Sequence, residues 1–73
     1  MRGALADAET GSLIYLFKNV SELRLTYQIR LLAFRAKNEN KKLIIRIPKE
    51  CRIHSLLSEF SKSLGRVMRI ERG

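Results

Sequence analysis

Apolar positions along the chain change period several times, and each change marks an element. Leu13-Ile14-Tyr15-Leu16-Phe17 is an unbroken apolar run, the pattern of a strand covered on both faces. Asn19 follows as a potential helix cap, with Glu22 three residues later placed to bond the cap's own N–H. A helix is therefore predicted from residue 20 to about residue 37, free of Pro and Gly, and Asn38-Glu39-Asn40-Lys41 breaks it. Leu43-Ile44-Ile45-Arg46-Ile47 reads as a second strand closed by Pro48. Ile53, Leu56, Leu57, Phe60 and Leu64 recur with helical spacing, and Gly65 stands where a helix favours a left-handed C-terminal residue. Residues 66–72 alternate and suit an edge strand. The order strand–helix–strand–helix–strand predicts an α/β fold with a small three-stranded parallel sheet joined by right-handed crossovers.

A second arrangement competes with this one. Leu13, Leu16, Val20, Leu23, Tyr27, Leu31 and Phe34 also line one stripe of a continuous helix, which would give one long N-terminal helix followed by strand–helix–strand. Period alone does not separate a short apolar strand from a helical segment. The strand is preferred because a two-stranded parallel sheet gives one crossover helix little to pack on, and because Asn19 and Glu22 form a capping box.

The first predicted helix has more apolar surface than one sheet uses. At about 100° per residue, Leu25, Ile29, Leu32, Ala33 and Ala36 share a face, and Leu23, Tyr27, Leu31 and Phe34 share another roughly opposite. A surface helix normally carries one apolar stripe. The second stripe predicts a homodimer interface formed by Leu23, Tyr27, Leu31 and Phe34.

Length and charge narrow the function classes. Seventy-three residues make one domain at most. A chain this short buries only about 60% of its unfolded surface, so a dimer contact would add useful burial. Residues 1–11 show no sustained period and carry −1, which reads as a flexible tail before a single domain over residues 12–73. Lys and Arg total 15 against 7 acidic residues, a net charge of +8. No apolar run nears the roughly 18 residues of a membrane span. The N-terminus has no hydrophobic core of a secretory signal. One Cys allows no intrachain disulfide. Together these features predict a cytoplasmic protein without membrane association.

Candidate chemistry is sparse. Cys51 and His54 have the spacing of two zinc ligands, but a structural site needs four, which only a symmetric dimer would supply. The pair could also form a Cys–His nucleophile, yet no third residue orients the His and no oxyanion donor is identifiable. Neither Gly11 nor Gly65 lies in a strand-to-helix turn, where phosphate-binding loops need glycine. No pair of acids sits close enough in sequence to suggest acid–base catalysis. The expectation is a non-enzymatic protein with no cofactor and no metal.

Positive charge remains as the functional signal. In a parallel α/β sheet, ligands collect at the carboxyl ends of strands, and here those ends carry Lys18, Asn19, Ser21, Lys49, Arg52 and Arg72. Helix N-termini at the same edge would favour an anion. A secondary basic patch comprises Lys41, Lys42, Arg46, Lys62, Arg66 and Arg69. Spread cations of this kind suit the phosphates of nucleic acid, and an acidic protein is the alternative partner. All five aromatics, Tyr15, Phe17, Tyr27, Phe34 and Phe60, fall at positions assigned to packing, which leaves no stacking platform for single strands.

Leu43-Ile44-Ile45-Arg46-Ile47-Pro48-Lys49-Glu50 resembles the opening of a ribbon–helix–helix repressor, but that family then needs a second full helix and only residues 66–73 follow Gly65. The element order, with Lys18 after the first strand, is similar to the archaeal Alba proteins, which are dimeric binders of DNA and RNA. That family's last strand and long hairpin arm have no counterpart in these 73 residues. Neither likeness rests on a motif specific enough to assign a family.

Overall fold

A computed structural model describes residues 6–73. It is a mixed α/β structure with two helices and a mainly parallel sheet. The main sheet has four strands in the order β1 (Ala8–Glu9), β2 (Leu13–Phe17), β4 (Lys42–Ile47) and β6 (Met68–Arg72). Strands β2, β4 and β6 run parallel, and β1 lies antiparallel on the β2 edge. A second, two-stranded parallel sheet pairs β3 (Glu22–Leu23) with β5 (Arg52–Ile53). Helices α1 (Tyr27–Asn38) and α2 (Ser55–Leu64) make the two crossovers, and a 3-10 turn (Gly65–Val67) leads from α2 into β6.

Leu13–Phe17 is a strand, so the long N-terminal helix is excluded. The sheet has four strands rather than three because part of the supposed tail pairs with β2. The Asp7 N–H donates to the Tyr15 carbonyl at 2.9 Å, and the Asp7 carboxylate accepts the Phe17 N–H at 2.7 Å. Residues 1–5 of the expected tail lie outside the described residues. Helix α1 starts seven residues later than the capping box suggests. Glu22-Leu23-Arg24-Leu25-Thr26 alternates polar and apolar, Leu23 is buried, and Glu22 and Leu23 pair with Arg52 and Ile53. Thr26, not Asn19, caps the helix by accepting the Ile29 N–H at 3.2 Å.

The helix ends follow local chemistry. Asn40 takes a φ of 57° after α1, and the Lys41 N–H reaches back to the Ala36 carbonyl at 2.8 Å, closing the last turn as a Schellman motif does. Gly65 ends α2 at φ 59° and ψ −118°, a conformation that costs a side-chain-bearing residue energy. Ile53 belongs to β5, so α2 begins after it. Leu57 is its buried residue, and Leu56, expected in the apolar stripe, faces solvent.

The core lies on one side of the main sheet. Alternate strand residues Ile14, Leu16, Leu43, Ile45, Ile47 and Met68 are buried against Ile29, Leu32, Ala33 and Ala36 of α1 and Leu57 of α2. The strands advance in one direction through β2, β4 and β6, so two crossovers of the same hand place both helices on the same face. Among the described residues, no helix covers the other face.

Glu9 ties the edge strand to the helix layer. Its carboxylate accepts hydrogen bonds from Lys41 and Arg35, and Glu39 joins both cations at 3.5 and 3.1 Å. The Lys41 and then the Arg35 hydrogen bond hold the Glu9 carboxyl below its ordinary value of 4.5. Such a group favours the folded chain above that value, and the contribution fades as pH falls through the lowered one. Glu9→Gln should therefore lower the melting temperature at neutral pH and by progressively less as pH falls below 4.5. A constant difference across that range would show that the ionised carboxylate is not what matters.

Deleting residues 1–11 removes β1 and these ties but leaves the helices and the three parallel strands. Each lost backbone hydrogen bond of β1 is worth about 1 kcal/mol net, and each kcal/mol moves the melting temperature by about 4–8 °C in a domain of this size. The truncated protein should keep its far-ultraviolet circular dichroism and melt several degrees lower. An unchanged melting temperature would show β1 to be ornamental.

Candidate nucleic-acid interface

The carboxyl edge of the sheet was expected to gather an anion site, and it brings only part of that set together. The Lys18 ammonium donates to the Gln28 side chain at 2.9 Å. Arg72 is engaged by the chain itself: its guanidinium donates to the carbonyls of Lys49 and Cys51 and fastens the loop after β4. Arg52 lines a cleft with Ser21, but Glu22 and Glu50 line it too, so two carboxylates oppose an incoming anion. Lys49 is exposed in the turn after β4. The helix N-termini are already occupied, by Thr26 for α1 and by His54 for α2, whose Nδ1 accepts the Leu56 N–H at 3.2 Å.

The secondary patch divides into two groups. Lys41 sits at the opposite edge in the Glu9 and Glu39 network. Lys62 and Arg66 are exposed at the end of α2. Lys42, Arg46 and Arg69 instead occupy the sheet face that no helix covers. Strand alternation puts Lys42, Ile44 and Arg46 of β4 on that face, with Arg69 and Glu71 of β6 and Leu13, Tyr15 and Phe17 of β2.

Register sets the pattern of this face. Tyr15, Ile44 and Arg69 form one row across three strands, and Phe17, Arg46 and Glu71 form the next. Glu71 lies 3.3 Å from Arg69 and 4.0 Å from Arg46. These pairs are exposed, and exposed pairs contribute little. One carboxylate among three cations leaves the face positive. The Tyr15 and Phe17 rings are 6.0 Å apart between centroids and inclined by 23°, and Phe17 is 51% exposed. Phe17 and Arg46 also share an open cleft of about 320 Å³ with Lys18 and Asn19, which joins the edge residues to the face.

Four of the five aromatics lie outside the core cluster, contrary to the packing expected of them. Tyr15 and Phe17 sit on the uncovered face, and Tyr27 and Phe34 are 69% and 65% exposed on α1. Of the five aromatics, only Phe60 packs against the core cluster. The alternation signal was masked because β2 is apolar at every position, which reads as two covered faces when only one is.

A groove runs between the helices. Leu31, Ala33 and Phe34 of α1 and Phe60 and Leu64 of α2 line about 380 Å³, with Arg30 and Lys37 beside them. Three of the four residues assigned to a dimer contact, Tyr27, Leu31 and Phe34, lie on α1. Leu23 does not: it belongs to β3 and is buried in the chain's own core, so it has no surface to offer a partner.

Cys51 is buried, with its thiol 3.4 Å from the Arg52 carbonyl. His54 uses Nδ1 as the α2 cap, so the two side chains serve separate local contacts. No cluster of three or more His, Cys, Asp or Glu side chains able to hold a metal occurs among the described residues. No helix among them is long and apolar enough to cross a membrane. Compared with known proteins, the chain matches no family model, no curated protein and no solved structure.

Proposed function

We propose that this chain is a non-enzymatic, cytoplasmic nucleic-acid-binding module that contacts phosphates through Lys and Arg side chains. The observation that carries this reading is the uncovered sheet face, where Lys42, Arg46 and Arg69 stand on neighbouring strands. Parallel sheets are ordinarily covered on both faces, so an open one with cations across it is a surface in want of an occupant. The net charge of +8 favours association with a polyanion at long range. Lys18 and Asn19 extend the track at the carboxyl edge through the cleft they share with Arg46. Arg52 is the competing edge cation, in a cleft where Glu22 and Glu50 stand in opposition, and Lys49 is exposed in the turn before it.

Salt dependence tests the reading. Each phosphate contact adds about 0.7 to the log–log salt slope for a single strand and about 0.9 for a duplex. Arg46→Ala with Arg69→Ala should weaken binding to generic nucleic acid and flatten that slope by about 1.4 to 1.8 units. Lys49→Ala with Arg52→Ala should do less. Equal effects from both pairs would mean diffuse charge rather than a face, and no wild-type binding near 50 mM salt would remove the function.

The groove between the helices favours a second reading, the docking of an acidic amphipathic helix of another protein. Its apolar floor is flanked by Arg30 and Lys37 and no carboxylate lines it, which suits an apolar stripe bordered by Asp or Glu. An acidic amphipathic peptide should bind in the groove, and Phe34→Ser with Lys37→Glu should abolish this while nucleic-acid affinity at the sheet face changes little. The homodimer is the competing occupant. Sedimentation showing a stable dimer of wild type that these substitutions dissolve would assign the groove to a second copy.

A further inference from the structure

Resting on the nucleic-acid reading, we infer that the open sheet face selects single-stranded nucleic acid by stacking bases on the Tyr15–Phe17 pair. The two rings stand one strand repeat apart on β2 and are nearly parallel, at 6.0 Å and 23°. Phe17 is half exposed, and its backbone is fixed by strand pairing and by the Asp7 carboxylate. A rigid strand therefore holds both rings toward the open side. Arg46 is the direct lateral neighbour of Phe17, and Arg69 lies two strands from Tyr15. Bases on the β2 rings would thus leave their phosphates within reach of cations on β4 and β6.

Geometry argues against a duplex as the ligand. Four strands about 4.8 Å apart give a backbone about 14 Å wide before side chains are added, whereas the major groove is about 12 Å wide. The sheet cannot enter it, and in a duplex the base faces are already stacked on one another. Single strands expose those faces, and aromatic side chains with Lys or Arg alongside are the usual means of holding them. Charge alone does not explain two aromatic rings on a solvent-facing sheet surface.

The experiment compares three probes at one salt concentration: a short mixed-sequence single strand, the duplex of that sequence, and an abasic strand with the same number of phosphates. The chain has no Trp and two Tyr, so Tyr27→Phe leaves Tyr15 as the sole tyrosine reporter. The base-bearing strand should bind tighter than either other probe and quench Tyr15 emission, which the abasic strand should not do. Phe17→Ala should weaken the base-bearing strand about 5- to 160-fold and leave the abasic strand unchanged, and Phe17→Trp should restore binding. Equal affinity for all three probes with no effect of Phe17→Ala would overturn stacking and leave the phosphate reading intact. Tighter binding of the duplex would overturn it too. If none of the probes binds near 50 mM salt, the nucleic-acid function itself fails.

Discussion

Strand β4 is the constraint on which the structure depends. It is paired on both sides, to β2 and to β6, and Leu43, Ile45 and Ile47 are buried on the helix side. Each such side chain contributes about 1.5–3 kcal/mol through burial, and the same backbone satisfies the inner hydrogen bonds of both neighbours. Because the crossovers share a direction, this investment is all on one face. The helices crowd that side with Ile29, Leu32, Ala33, Ala36 and Leu57, and they leave the other to solvent.

The consequence is an unusual parallel sheet. Ile44, at the centre of the open face, is only 5% exposed although no helix among the described residues covers it. Its row neighbours are Tyr15 and Arg69, whose long side chains can shield it along their apolar parts. The aromatic and basic residues are thus part of how the face tolerates water as well as what it presents to a ligand. The small second sheet continues the scheme at the carboxyl edge: Leu23 is buried where β3 meets β5. Arg72 then bonds the carbonyls of the loop between β4 and β5, so a cation expected to bind an anion serves the fold.

The sequence made some of this legible and concealed the rest for identifiable reasons. Strand β4 and helix α2 were clear because Pro48 and Gly65 punctuate them. The buried stripe of α1 was clear because Ile29, Leu32, Ala33 and Ala36 keep one helical face. Helix α1's start was not, since Asn19 and Glu22 offer a plausible box while Thr26 offers a better-placed cap, and Leu23 is drawn into a strand by a partner thirty residues away. No local signal reports such a pairing. Strand β1 was illegible for the same reason: Ala8 and Glu9 have no pattern of their own, and they are held by the β2 edge and by Arg35 and Lys41.

The candidate site was hidden by a subtler ambiguity. An all-apolar strand reads as buried twice, yet burial is a property of the layers around it, not of its composition. Two crossovers of one hand give two helices on one face, and among the described residues no third helix lies on the other. Once the crossovers are known, every second residue of β2 must face away from the helices, and Tyr15 and Phe17 are among them. Leu13, in the same phase, is half-buried near the paired edge, while Phe17 at the strand's end is half exposed beside Arg46. The gradient of exposure along β2 therefore runs toward the edge where Lys18 and Asn19 complete the cleft, and the aromatic and basic features converge on one corner of the sheet.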